Sequence, residues 1–325
     1  MTSDLSAIRF RAARPEDRAA ILALPTRFEG EYVPYFLDAW LAERPVRLWV
    51  AEAEGHVAAF AHLTWTAPGE AWLHAMRVGV AYEGRGLGTA FTRWQLEQAW
   101  AAGARVVRLI TEERNVAIHR IMERLGVPLL ARWRIAEGMP LAPLAEALGP
   151  GPEEARPVAP SEAASLLPGP AAAGERTAAG EEADLVAVDG SPWELRSLDA
   201  GVLEEAARAG RLFRAGEAAA AALLGEDEEA GAARAAAGAA PDPAGGPRLP
   251  LLRRLEGGEV GRRRLLRGLV RFLRARGTER WAVSLPEEQA AWLERLLPTW
   301  EPGWPGEEGG WIRMRVYGRA REASA

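Results

Sequence analysis

The segment that constrains this chain most is Met76-Arg-Val-Gly-Val-Ala-Tyr-Glu-Gly-Arg-Gly-Leu-Gly-Thr-Ala-Phe91. A strand pattern runs from Ala71 to Val80. A helix pattern begins at about Leu87 and offers Leu87, Ala90, Phe91 and Trp94 to a core at i, i+3, i+4 and i+7. Between them lie Gly84, Gly86 and Gly88. Glycines so spaced let successive N–H groups point into one concavity, and the helix that follows adds its positive end. The segment reads as a pyrophosphate cradle, with Arg85 as a cationic donor at its rim.

Several glycine-rich turns compete for this reading. The dinucleotide-binding spacing G-x-G-x-x-G is not met, and no suitable acidic residue follows on a second strand. A P-loop needs a lysine. The chain has none, because all 40 basic residues are Arg. A coenzyme A-type cradle and a plain flexible turn remain. The missing Lys also excludes Schiff-base and pyridoxal phosphate chemistry. With no Cys among 325 residues, disulfides, thiolate metal sites and a Cys nucleophile are excluded too, and no metal site is expected. A net charge of -5 gives no global attraction to nucleic acid. No apolar run is long enough to span a bilayer, and no secretion signal is read at the start. A soluble cytoplasmic protein, monomeric or homodimeric, is the expectation.

The length suggests about two domains. Strands and helices alternate from Ile8 to Leu125: strand Ile8–Ala12, a helix opened by Pro15-Glu16-Asp17, a helix over Tyr35–Ala42, a hairpin of Arg47–Glu54 with Val57–Thr66, strand Val106–Thr111 and helix Asn115–Leu125. Gly103 and Gly126 close the helices. This alternation predicts an α/β layer sheet. Residues 136–190 are rich in Pro, Ala, Gly and Glu and read as a linker or loosely packed connection. Residues 191–325 regain periodicity, with helices over Asp199–Ala209, Gly261–Arg276 and Glu287–Leu297. Their tryptophans, Trp292, Trp300, Trp304 and Trp311, are expected to pack that half. Gly88–Gly103 followed by a strand and Glu112-Glu113 is echoed by Gly261–Gly277 followed by a strand and Glu287-Glu288. The echo predicts a duplicated unit.

Two motifs resemble the GNAT (GCN5-related N-acetyltransferase) superfamily. Glu83-Gly84-Arg85-Gly86-Leu87-Gly88 matches its Arg/Gln-x-x-Gly-x-Gly/Ala turn except at Glu83. Asn115-Val-Ala117-Ile118-His-Arg-Ile-Met122-Glu-Arg-Leu-Gly126-Val127 matches its later signature, with Met122 where the family carries a Tyr. The resemblance covers residues 7–135. It implies an α/β (α+β) mixed sheet flanked by helices, followed by a degenerate GNAT-like second domain over 191–325. It also implies acetyl-CoA as co-substrate, held by Met76, Arg77, Val78, Glu83, Gly84, Arg85, Gly86, Leu87, Gly88, Thr89 and Asn115. Tyr32-Val-Pro34, Trp40-Leu41, Met76-Arg77-Val78, Trp193-Glu-Leu and Leu203–Gly210 further resemble histidine N-acetyltransferase-type chains. That implies a small-molecule amine acceptor, such as a free amino acid. The second glycine turn, Glu256 to Gly261, carries two acids and no alternating glycines, so the second half is not expected to bind the cofactor.

Direct transfer needs a neutral amine, hence a base or a water relay. His74 sits where many family members carry Glu, and its unperturbed pKa suits the task. Strand alternation places it on the face of Trp72 and Met76, where a buried core His is the alternative reading. Glu70 is a weaker candidate base. Glu29, Glu31 and Asp38 lie in the segment that lines the acceptor site in the family, and a solvated surface role fits each as well. His119, three residues before Met122 on one helix, is the candidate acid. Asn115 fits a simple N-cap as well as a cofactor contact.

Overall fold

The computed structural model describes residues 8–27, 32–167, 185–189, 191–216, 220–227, 249–297 and 310–321. The chain divides into two compact units, Met1–Leu129 with Val316–Ala325, and Leu130–Arg315.

The first unit holds strands β1 Ile8–Ala12, β2 Leu48–Ala53, β3 His56–Ala67, β4 Glu70–Val78 and β5 Val106–Glu112, and helices α1 Arg18–Leu22, α2 Val33–Ala42, α3 Leu87–Ala101 and α4 Val116–Leu125. β1 to β4 pair antiparallel in sequence order, and β4 pairs parallel with β5. A parallel pair needs a crossover, which α3 supplies. Both faces of the sheet are covered. Leu87, Phe91, Leu96 and Met122 pack on Ala59, Ala61, Leu63, Leu73 and Val107 on one side. Ile21, Leu37, Trp40 and Leu41 pack on Leu48, Val50 and Phe60 on the other. Double coverage explains why β2 and β3 read as near-continuous apolar runs rather than alternating ones. The expected helices and strands of residues 8–125 are found within about three residues of their predicted bounds.

The second unit carries β6 Leu129–Pro140, β7 Arg156–Pro157, β8 Leu185–Val188, β9 Ser191–Ser197, β10 Leu212–Ala215, β11 Ala220–Asp227, β12 Leu249–Leu255 and β13 Arg280–Pro286. Its helices are α5 Leu141–Leu148, α6 Pro160–Ala163, α7 Ala200–Arg208, α8 Glu259–Arg274 and α9 Glu287–Leu296. Strands run β7-β10-β11-β12-β13-β6, with β8 and β9 as a separate pair. β10, β11 and β12 are antiparallel, β12 and β13 are parallel, and α8 bridges them. The first unit has the same pattern of antiparallel strands, parallel pair and bridging helix. Trp292 and Trp311 lie in the core as expected, beside Leu265, Leu269 and Trp281. Trp300 and Trp304 lie outside the described residues.

The last strand, β14 Ile312–Ala320, begins in the second unit and from Val316 belongs to the first, next to β5. There Gly318 N–H donates to Pro128 O at 3.2 Å and Arg321 N–H to Arg105 O at 2.8 Å. The strand after α4 goes the other way. Only its first residue, Leu129, lies in the first unit.

The connection expected over 136–190 differs in its first part. Ala136, Met139, Leu141, Leu144 and Leu148 are fully or almost fully buried in the core of the second unit. Leu141, Leu144 and Leu148 keep helical spacing, but the surrounding Ala, Pro and Gly dilute that signal. Residues 168–184 lie outside the described residues.

Candidate active site

The glycine turn has the local geometry its sequence requires. A single 3₁₀ turn, Val80–Tyr82, follows β4. Gly84 and Gly86 then have φ of 70° and 85°, and Gly86 is the N-cap of α3. Such values strain any residue with a Cβ. A Cβ at Gly84 would meet nothing within 4 Å, so the space above it is open. Gly88 serves packing instead. A Cβ there would lie 3.0 Å from Ile121 Cδ1 on α4. The N–H groups of Gly84, Arg85, Gly86, Leu87, Gly88 and Thr89 find no acceptor among the described residues. Unpaired donors converging on a helix N-terminus suit an anion.

The side chains around this turn sort themselves. Leu87 is buried in the core. Arg85 is exposed and without a partner among the described residues. Glu83, which departs from the family pattern, is tied to Arg27 at 2.8 Å. Its carboxylate is thereby partly neutralised beside the cradle.

The strand leading into the turn has one open edge. β4 pairs with β5 only through Glu70–Trp72 opposite Val106–Arg108, where Glu70 and Arg108 also form a 2.8 Å ion pair. That pair occupies Glu70, the weaker candidate base. Beyond Trp72, β4 continues to Val78 with no ladder to β5. A strand edge without a ladder accepts an extended ligand as it would another strand, and here the Met76 carbonyl accepts from Arg77 Nη1 at 3.2 Å. Met76 and Val78 lie on this stretch, packed toward α3, and the Met76 sulfur takes a 3.5 Å contact from the Thr92 hydroxyl.

A bulge corrects the expected placement of His74. On β3 the register moves from Phe60 to His62, but on β4 it moves from Arg77 to His74, one residue more. The extra residue is accommodated at Ala75, whose φ is 55°. A bulge shifts every later side chain to the other face. His74 therefore does not share a face with Met76. Leu73, Met76 and Val78 join the α3 side, while Arg77, like His74, faces the α2 side. Arg77 is 7% exposed, with its guanidinium 5.3 Å from the centre of the Tyr32 ring. It lines this second face rather than the phosphate cradle.

His74 lies directly opposite His62 on β3, and its Nε2 is 2.6 Å from His62 Nδ1. His62 Nε2 is in turn 3.0 Å from a Glu43 oxygen. The Trp40 ring stacks on His62 with centroids 4.6 Å apart and meets His74 edge-on at 5.5 Å. Burial pushes the His74 pKa well below its usual value, and neighbouring His62 and Arg77 add to this. Burial lowers His62 as well, with Glu43 acting in the opposite direction. Both rings are held neutral at pH 7. Sequence reasoning missed His62 and Glu43. A straight register from Ala67 opposite Glu70 would have set His62 against Ala75, and only the shifts within the β3–β4 ladder bring it opposite His74. Nothing in the sequence marks Glu43, at the end of α2.

The α4 residues are more fully occupied. Asn115 Oδ1 caps the helix by accepting from Ile118 N–H at 3.4 Å, and its amide donates to the Thr111 hydroxyl at 3.0 Å. It therefore serves as an N-cap. Met122 is 1% exposed, a core residue. His119 Nε2 is 2.9 Å from Glu113 O, and its Nδ1 is 3.0 Å from the Tyr317 hydroxyl on β14. Both ring nitrogens are engaged, so His119 presents no free ring nitrogen to a substrate. Tyr317 lies 198 positions away and had no signal in the sequence.

Of the three acidic residues expected at the acceptor side, Asp38 is described. Asp38 is exposed and paired with Arg18 at 2.6 Å, which lowers its pKa. Glu29 and Glu31 lie outside the described residues. No three His, Asp or Glu side chains among the described residues are placed to hold a metal. No described helix is long and apolar enough to cross a membrane.

Comparison with known proteins matches residues 17–127 to the model of the acetyltransferase (GNAT) family. A candidate acetyltransferase from Thermoplasma acidophilum is similar over 96% of this chain and all of its own, with 13% identity and a TM-score of 0.51. One from Pyrococcus horikoshii shares 16% identity over 95% of this chain and 89% of its own, at a TM-score of 0.45. A Bacillus subtilis acetyltransferase solved with CoA shares 16% identity over 38% of this chain and 79% of its own, at 0.32. A search of curated proteins returned no match to the sequence. With its glycine cradle, open strand edge and second signature on α4, the segment 17–127 is an acetyltransferase domain of the GNAT family.

Proposed function

We propose that this protein transfers acetyl from acetyl-CoA to a primary amine of a small molecule, by direct attack of the amine on the thioester. The observation that carries the reading is the row of unpaired N–H groups over residues 84–89, where a strand with a free edge enters α3. These groups suit the pyrophosphate, with Arg85 adding charge from the rim. The free edge of β4 at Met76–Val78 suits the amide groups of the pantetheine arm. The bulge at Ala75 takes a backbone group out of the β3–β4 ladder beside His74. A free N–H there would stabilise the oxyanion that forms on the thioester carbon.

His74 is the base in this reading. Its neutral imidazole takes the proton that the amine nitrogen loses as the N–C bond forms and the C–S bond breaks. The leaving thiolate is stable near neutral pH and needs little help from an acid. That suits a site where Met122 replaces the family's Tyr. The second unit, in this reading, is a remodelled copy that binds no cofactor.

Thiol release from acetyl-CoA is the test, measured with purified protein against a panel of free amino acids, other primary amines and short peptides. Turnover with free small amines is the expected result. Activity on peptides alone would assign a protein N-terminal acetyltransferase. Acetyl-CoA binding without turnover on any amine would assign a sensor that uses the fold only to bind.

A further inference from the structure

The base reading leaves Glu43 and His62 unexplained. Both sit in a line behind His74, and each comes from a different element. Glu43 follows α2, His62 is on β3 and His74 is on β4. His62 is 2% exposed and 2.6 Å from His74, while Glu43 keeps 29% of its side chain open to solvent. Two polar rings set this deep cost stability unless their hydrogen bonds are made. Their order decides the tautomers. A carboxylate only accepts, so His62 Nε2–H donates to Glu43. A neutral His62 then has a bare Nδ1, which can only accept. His74 must therefore donate its own Nε2–H to that atom. What remains is His74 Nδ1, carrying a lone pair and no partner among the described residues.

We propose that Glu43 and His62 are positioning residues that hold His74 with Nδ1 as its basic atom and stabilise the imidazolium formed there. This rests on His74 being the base. A proton taken at Nδ1 makes His74 a cation. Its Nε2–H bond to His62 then becomes charge-assisted, and the Glu43 carboxylate lies one ring further on. When the acetylated product leaves, Nδ1 returns its proton to water. The same logic governs a carboxylate behind a catalytic histidine, here with one imidazole interposed. Other charges act on the pair. Arg77 on β4 faces His74 and Arg47, just before β2, faces His62, and both oppose a cation. The Trp40 ring on α2 covers both imidazoles. Among the described residues, Glu43 is the group acting on the pair that favours the cation.

The test that needs no acceptor is ¹⁵N-histidine NMR of the full chain. It has four histidines, each assignable by a single His→Gln change. At pH 7.5 both His62 and His74 should be Nε2–H tautomers. Glu43→Gln should shift His62 toward the Nδ1–H form, and His74 should follow. A His74 already protonated on Nδ1 in the wild type, or indifferent to Glu43→Gln, overturns the proposal. Kinetics on the acceptor identified by thiol release give the second readout. Glu43→Gln and His62→Asn should each lower kcat at least tenfold, leave KM for acetyl-CoA within twofold, and move the acid limb of kcat to lower pH. Glu43→Asp should restore part of the loss. A tenfold loss with an unmoved acid limb would mark a merely structural role. Full activity of His74→Gln would remove the base reading itself, while full activity of Glu43→Gln with an inactive His74→Gln would remove only the positioning role.

Discussion

Gly86→Ala separates the cradle's backbone geometry from the stability of the helix it opens. Gly86 has φ +85° at the N-cap of α3, and Gly103 has φ +96° just beyond that helix's other end, about 22 Å away. An L-residue in this conformation costs about 1–2 kcal/mol. A Cβ at Gly103 meets nothing within 4 Å, so strain is its whole cost. Both alanine variants should therefore lose about 3–8 °C in Tm for a unit of this size. Their effects on acetyl-CoA should differ. If Gly86→Ala turns one N–H away from a phosphate, a charge-assisted bond worth about 1.5–3 kcal/mol is lost, or about 10- to 150-fold in Kd. Gly103→Ala should bind as the wild type does. Asn tolerates the left-handed region, so Gly86→Asn should recover part of the affinity. Titration calorimetry with acetyl-CoA, beside thermal unfolding, checks all three. Unchanged affinity in Gly86→Ala, with the stability lost as expected, would refute the pyrophosphate assignment. Equal weakening by Gly103→Ala would show that only stability is being read.

Two further outcomes follow from packing and protonation. His62 and His74 are held neutral in the folded chain by burial, whereas in the unfolded chain they take up protons below about pH 6.5. The unfolded state then binds more protons, so stability is lost as pH falls from 7 toward 5. The urea midpoint should fall over that range, and His74→Gln should flatten the dependence; parallel slopes would contradict it. In the second unit, Gly268→Ala on α8 should destabilise. Ala in a helix usually gains about 1 kcal/mol over Gly. Here its Cβ would lie 2.7 Å from Ala155 N and 2.8 Å from the Glu154 carbonyl carbon, backbone that cannot swing aside. A net loss of about 1–3 kcal/mol is expected, and a raised urea midpoint would sink the argument.

The parts of this protein written in its sequence are the local ones. Gly84, Gly86 and Gly88 announce a cradle because positive φ and close packing are properties of single residues. Leu87, Phe91 and the glycines at 103 and 126 announce where helices run and stop. The missing Lys and Cys remove whole chemistries without any structure. The tertiary structure decided what depends on register and on distant chain. One extra residue at Ala75 turned His74 away from Met76, and alternation alone could not foresee it. Core leucines 141, 144 and 148 were hidden among Ala, Pro and Gly until they packed. Glu43, His62 and His74 meet only because a helix end and two strands converge, and Tyr317 reaches His119 only because the last strand returns to the first unit. Local sequence specifies backbone conformation. Which side chains meet is set by sheet pairing and burial, and those are summed over the whole chain.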